Sequence, residues 1–141
     1  MADFLWVDPP FANMTGKVWP AAANSTGVPG LRAGWQANVA RAIANATELF
    51  HAGAFVGVWL GDEPCCSGVT AAALALAAAF IKALIAPLSA DCPAELWTYV
   101  NECDHVFWTI PDCNGNTTYP GQFTGLVPAG LDVISIDRYS A

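Results

Sequence analysis

The run Phe55-Val56-Gly57-Val58-Trp59-Leu60-Gly61-Asp62-Glu63-Pro64 decides how the rest of the chain reads. Its apolar part is too short for an ordinary helix, is rich in Val and aromatic residues, and stops on two carboxylates. That is the pattern of a strand buried on both faces. Pro64 disfavours helical backbone at the residue before it, so Glu63 is expected at the strand tip and not in the helix that follows. Ser67 is then the expected cap of that helix. In parallel α/β architectures the carboxyl ends of the strands form the face where chemistry is done, which makes Glu63 a candidate catalytic group. The plainer role is a capping or salt-bridging acid.

Working outward, the same grammar recurs. Residues 3–8 (Asp-Phe-Leu-Trp-Val-Asp) form a short apolar run that ends on Asp8 ahead of two prolines, and read as a strand. Residues 9–30 are rich in Pro, Gly, Asn and small side chains and read as a long surface loop. Over residues 31–52 the apolar positions Leu31, Trp35, Val39, Ala42, Ile43 and Leu49 recur at helical spacing, so one amphipathic helix is expected, closed by Gly53 with His51 in its last turn. Residues 67–86 form an alanine-rich helix whose small side chains suit close packing on a sheet. Its length approaches a membrane span, but alanine is a weak membrane former and Lys82 interrupts the run, so membrane insertion is not expected. Residues 95–101 and 131–137 read as two further strands, running into Glu102 and ending on Asp137, with residues 103–130 a long loop between them.

Strands separated by helices or long crossovers, each ending on a carboxylate, imply an α/β domain of parallel β/α units with an acidic rim. Two carboxylates across a cleft are what glycosidic cleavage needs, one protonated to donate to the leaving oxygen and the other ionised as nucleophile or base. Aromatic residues near the strand ends, Trp59 among them, suit the apolar faces of sugars. Most aromatic side chains are nonetheless expected in the core.

Three segments carry a resemblance: Val58-Trp59-Leu60-Gly61-Asp62-Glu63-Pro64, then, after a long helix, Leu96-Trp97-Thr98-Tyr99, and Leu131-Asp132-Val133-Ile134-Ser135-Ile136-Asp137-Arg138-Tyr139. Together they resemble the middle of (β/α)8-barrel glycoside hydrolases. In retaining enzymes of that kind the fourth strand ends in an Asn-Glu-Pro-like motif whose Glu is the acid/base, and the sixth strand reads Asp-aliphatic-Ile-x-aliphatic-x-x-Tyr. The resemblance covers residues 55–139. It implies Glu63 as acid/base and Tyr139 as a rim aromatic near the sugar, with Asp62 standing where those enzymes carry Asn. A second register aligns Asn101-Glu102 with the motif and makes Glu102 the acid/base; Pro64 and the downstream spacing favour Glu63. The expected catalytic residues are thus Glu63 and Glu102, and the expected sugar contacts are Trp59, Asp62, Asn101, Asp137 and Tyr139. A complete barrel takes about 250 residues, so the 141 residues here correspond to about half of a TIM-type barrel forming a single domain. Either these residues are a fragment of a barrel, or a second copy or another chain completes it, or they are a relic that has kept the framework and lost turnover. The competing reading is a non-catalytic, barrel-derived module that binds glycan or serves as a subunit of an extracellular assembly.

Composition narrows the partners. Hydrophobic residues make up 55% and charged residues 12%, against roughly 25% charged in an ordinary soluble domain, so the chain is expected to bury surface against something else. A net charge of −7 with five Lys and Arg has no basic stripe for a phosphate backbone, which excludes nucleic acid and leaves carbohydrate as the expected ligand. His105 has no companion at zinc spacing, so neither metal nor cofactor is expected.

The compartment is read from modification signals. Asn13, Asn24, Asn45 and Asn116 each open an Asn-x-Ser/Thr sequon, and five cysteines accompany them. Both point to the secretory pathway and an extracellular glycoprotein with disulfides. The chain opens without a basic, cleavable apolar segment, and a leader is expected to lie outside these residues. Cys103 with Cys113, and Cys65 or Cys66 with Cys92, are the candidate pairs, the odd count leaving one thiol over.

Overall fold

The computed structural model describes residues 2–7, 31–62, 69–103, 128 and 130–137. Four strands, β1 (Asp3–Trp6), β2 (Phe55–Asp62), β3 (Trp97–Cys103) and β4 (Val133–Asp137), form one sheet in the order β1-β2-β3-β4. Every neighbouring pair is parallel. The α/β expectation of parallel units therefore holds, with strands adjacent in sequence also adjacent in space. Right-handed crossovers in such an order put successive helices on one face of the sheet. Accordingly α1 (Trp35–Asn45) and α3 (Ala71–Ile85) pack on each other through an edge-to-face contact of Trp35 and Phe80 at 5.0 Å, and α3 also lies against β2 and β3.

The core sits between that helix layer and the sheet. From the sheet come Val7, Val58, Leu60 and Val100; from α1 come Trp35, Val39 and Ile43, one stripe at four-residue spacing; from α3 come Ala73, Leu74, Ala77, Ala78, Ile81 and Ile85. Each fully buried Leu or Ile contributes about 1.5–3 kcal/mol. The alanines let a neighbouring backbone come close: a Cβ on Gly130 would sit 2.8 Å from the Ala79 nitrogen, and Gly130 also holds φ +88°, so both space and backbone demand glycine there.

Several boundaries differ from the sequence reading. The expected helix over residues 31–52 is two helices, α1 and α2 (Thr47–His51), broken at Ala46. The hydroxyl of Thr47 donates back to the Ala44 carbonyl at 3.0 Å, a bond that bends helices. The break turns Leu49 outward and buries Phe50 instead. Helix α3 is capped by Thr70, whose hydroxyl accepts from the Ala73 amide at 3.1 Å, and not by Ser67. The third strand runs on through Glu102 to Cys103, so Cys103 belongs to β3 and not to the expected loop of residues 103–130; residues 9–30 and 104–127 lie outside the described part. Cys92 forms no disulfide among the described residues; its candidate partners Cys65 and Cys66, and Cys113, lie outside them. Among the described residues, no helix is long and apolar enough to cross a membrane.

Candidate functional site

The two faces of the sheet differ in chemistry. The alternation that faces the helices is mostly aliphatic, with Leu5, Val58, Leu60, Val100 and Ile134, and also carries the buried Thr98 and Glu102. The opposite alternation carries Phe4 and Trp6 on β1, Gly57 and Trp59 on β2, Trp97, Tyr99 and Asn101 on β3, and Val133 and Ser135 on β4. Of these, Trp6 is 61% exposed and Trp97 43%. The expectation that β2 is buried on both faces therefore holds fully on the helix side, where Val58 and Leu60 have no exposure, while Trp59 is half-buried.

The rings on this open face touch in series. Phe4 reaches Tyr99 at 5.0 Å between centroids, across the intervening strand. It can do so because position 57 is glycine: a Cβ there would stand 2.8 Å from the Phe4 ring and 2.1 Å from the Trp97 carbonyl oxygen. Trp59 lies nearly parallel to Tyr99 at 6.2 Å, and Trp6 stands against Trp59 at 4.0 Å with 71° between their planes. The Trp59 indole N–H donates to the Gly61 carbonyl at 2.6 Å, which fixes the ring's orientation.

Toward the carboxyl ends the aromatic surface gives way to a polar set. Ser135 pairs with Asn101 across the β3–β4 ladder, and its hydroxyl donates to the Asn101 side-chain oxygen. Ser135 Oγ lies 2.6 Å from the Tyr99 hydroxyl. A serine has one proton to give, so Tyr99 is the donor in that second bond, and the order runs Tyr99 to Ser135 to Asn101. The set is held from three positions on two strands and borders the stacked rings through Tyr99.

The ladder between β2 and β3 shifts after Trp59: Trp59 pairs with Tyr99, and the next recorded pair is Asp62 with Asn101. Two residues, Leu60 and Gly61, thus oppose the single Val100, a bulge in which Gly61 takes φ +149°, a conformation that L side chains rarely adopt. Bulges of this kind re-aim the end of a strand and are frequent beside functional sites.

The expected site residues fall into three groups. Trp59 and Asn101 share the open face, and Asp62 is in register with Asn101 at the strand end. Asp137 closes β4 in register with Cys103. Glu102 follows the alternation of Thr98 and Val100 through an unshifted ladder and is fully buried, so it is not brought to the face that Trp59, Tyr99 and Asn101 share. Glu63 and Tyr139 lie outside the described residues, as do Asn13, Asn24 and Asn116; Asn45 is exposed at the end of α1. Trp6 and Ser135 were not among the expected contacts. Period-two reading carries their signal, since Ser135 interrupts an aliphatic strand at the same alternation as Val133, and Trp6 at the alternation of Phe4.

Near the amino ends of β3 and β4, Asp132 organises a second polar cluster. Its Oδ2 accepts from Lys82 Nζ and from the Thr98 amide, each at 2.8 Å, and lies 3.0 Å from the Thr98 hydroxyl, whose one proton is shared with the Gly130 carbonyl. Burial alone raises the Asp132 pKa, but the hydrogen bonds from Lys82 and Thr98 and the Lys82 charge outweigh it and hold the carboxyl below its ordinary value. Compared with family models, curated proteins and solved structures, the chain matches none.

Proposed function

We propose that the chain is a secreted, carbohydrate-active module of the glycoside-hydrolase type, about half of a (β/α)8 barrel, in which Glu63 protonates the leaving oxygen of a glycosidic bond. One observation carries this reading: the open face of the sheet bears contacting aromatic rings that pass, toward the carboxyl ends of the strands, into the hydrogen-bonded set Tyr99, Ser135 and Asn101. A filled barrel interior is dominated by branched aliphatic side chains, whereas this alternation is aromatic, amide and hydroxyl. Such a mixture suits a sugar, whose ring is apolar on its faces and polar at its edge. Glu63 directly follows β2, whose last residue is in register with Asn101. Asp62, Asp137 and Tyr139 belong in the same reading to the rim that contacts the sugar.

Glu102 is assigned to the framework, because a fully buried group on the helix-side alternation does not meet a ligand on the open face. The second carboxylate is then left to the strands that complete the barrel. This placement of Glu102 is also the observation that favours the alternative, a glycan-binding or structural subunit without turnover. Glu63→Gln separates the two. It keeps the side chain's size and removes the transferable proton, so hydrolysis of a chromogenic aryl glycoside is expected to fall at least about 100-fold, the usual worth of a general acid. An unchanged rate removes Glu63 from the mechanism.

A further inference from the structure

We infer that Trp6 and Trp59 form the stacking subsite of this face, and that its ligand is a neutral pyranose presenting a continuous C–H face. The inference rests on the carbohydrate reading above and adds to it the residues and the class of sugar. The two indoles meet edge to face at 4.0 Å between centroids with planes 71° apart, and in this inference Trp59 is the floor and Trp6 the wall. The floor is immobilised: Trp59 is tied through its indole N–H to Gly61 and backed by Tyr99. The wall, Trp6, is 61% exposed, an unusual state for so large an apolar side chain beside an intact core. A pyranose whose hydroxyls are equatorial has axial C–H bonds on each face and its oxygens around the perimeter, which fits an indole floor with polar groups beside it. Those groups are the half-buried Tyr99 and Ser135 hydroxyls, with Asn101, itself buried, fixing the Ser135 hydroxyl.

Charge selects the neutral class. The described cations Arg32, Arg41 and Lys82 lie ahead of α1, on α1 and on α3, so among the described residues none stands on the open face. A uronic acid or sulfated sugar would meet none of these described cations there, on a chain whose net charge is already −7.

The test is titration of tryptophan emission with cellotetraose as neutral probe and a tetragalacturonate as anionic probe, using wild-type protein and the Glu63→Gln, Trp6→Ala, Trp6→Phe and Leu49→Ala variants. Saturable quenching by cellotetraose and none by the uronate is expected for wild type and for Glu63→Gln. Trp6→Ala should lose about tenfold or more in affinity, equivalent to about 1.4 kcal/mol, with Trp6→Phe recovering part of it. Leu49→Ala removes an exposed apolar side chain from α2 and should bind as wild type. The inference is overturned if cellotetraose fails to saturate, if the uronate binds as well, or if Trp6→Ala binds unchanged. It is also overturned if Trp6→Ala converts a sedimenting dimer to monomer without affecting sugar binding, since the face is then covered by a second copy. Binding without any hydrolysis would leave this inference standing and remove the hydrolase reading; hydrolysis indifferent to Trp6 would do the reverse.

Discussion

Replacing Asp132 by Asn should destabilise the protein by about 1–2 kcal/mol at neutral pH and by nearly nothing in strong acid. The substitution keeps the side chain's shape and an oxygen for the Thr98 amide, and removes the charge that faces Lys82. A hydrogen bond to a charged group is worth about 1.5–3 kcal/mol against about 1 for a neutral one. The Asp132 and Lys82 side chains are 29% and 32% exposed, so water screens part of that difference, and the lower half of the range applies. The pH dependence follows from the sign of the shift. The folded-state pKa of Asp132 lies below its ordinary value. Its stabilisation is therefore complete above the ordinary value of about 3.9 and is lost as pH falls through the lower, folded-state value. Urea unfolding followed by tryptophan emission at pH 7 and at about pH 2 measures both limits, with the slope of free energy on urea expected to stay constant. Equal midpoints for wild type and Asp132→Asn at neutral pH, or a gap that persists undiminished in acid, would refute the reasoning. Lys82→Met should cost a similar amount, and the double variant less than the sum, because the two residues share one interaction.

Gly57→Ala would drive a Cβ to within 2.1 Å of the Trp97 carbonyl oxygen and 2.8 Å of the Phe4 ring. Forcing β2 and β3 apart in this way should cost about 1–3 kcal/mol and weaken the near-ultraviolet signal of the Phe4–Tyr99 contact, while Leu49→Ala leaves that signal intact. Thr70→Ala removes the acceptor for the Ala73 amide at the start of α3 and should lower stability by about 1 kcal/mol in the same urea assay; Thr70→Asp should retain most of it. Expressed through a eukaryotic secretory pathway, the protein should carry a glycan on exposed Asn45 that Asn45→Gln removes as a discrete loss of mass, and an identical mass for the two would exclude that site.

What the sequence showed best was the element that needs no context. An unbroken apolar run bounded by acids and proline reads as a strand whatever surrounds it, and β2 lies where that reading puts it. Tertiary context decided the rest. The third strand is expected to end at Asn101, ahead of Glu102; in the fold the strand carries Glu102 into the protein and ends one residue later. The helix over residues 31–52 matched a single apolar stripe until Thr47, whose backbone-bonded hydroxyl is a local competitor that periodicity does not register. The site suffered from a similar narrowness. Acids at strand ends point to Asp62, which is in register with Asn101, but not to Trp6 and Ser135, which belong to the open face by simple alternation and precede the strand tips.

The Asp132 cluster and the open face are linked through strand register, although they lie on different sides of the sheet. The Asp132 amide donates to the Thr98 carbonyl at 3.1 Å while its carboxylate accepts from the Thr98 amide, so the two residues lock β3 and β4 together from both directions at the start of their ladder. The register that follows sets Val133 opposite Tyr99 and Ser135 opposite Asn101. A slip of one residue would send Ser135 to the helix side and bring an isoleucine to Asn101 in its place, since successive side chains alternate between faces. The bond from Ser135 to Asn101, and with it the donor order that starts at Tyr99, exists only in the register that Asp132 selects. Asp132→Ala, which loses the amide and hydroxyl bonds as well as the charge, should therefore weaken cellotetraose binding as well as stability. Asp132→Asn, which keeps an oxygen for Thr98, should lower stability and leave binding nearly as in wild type.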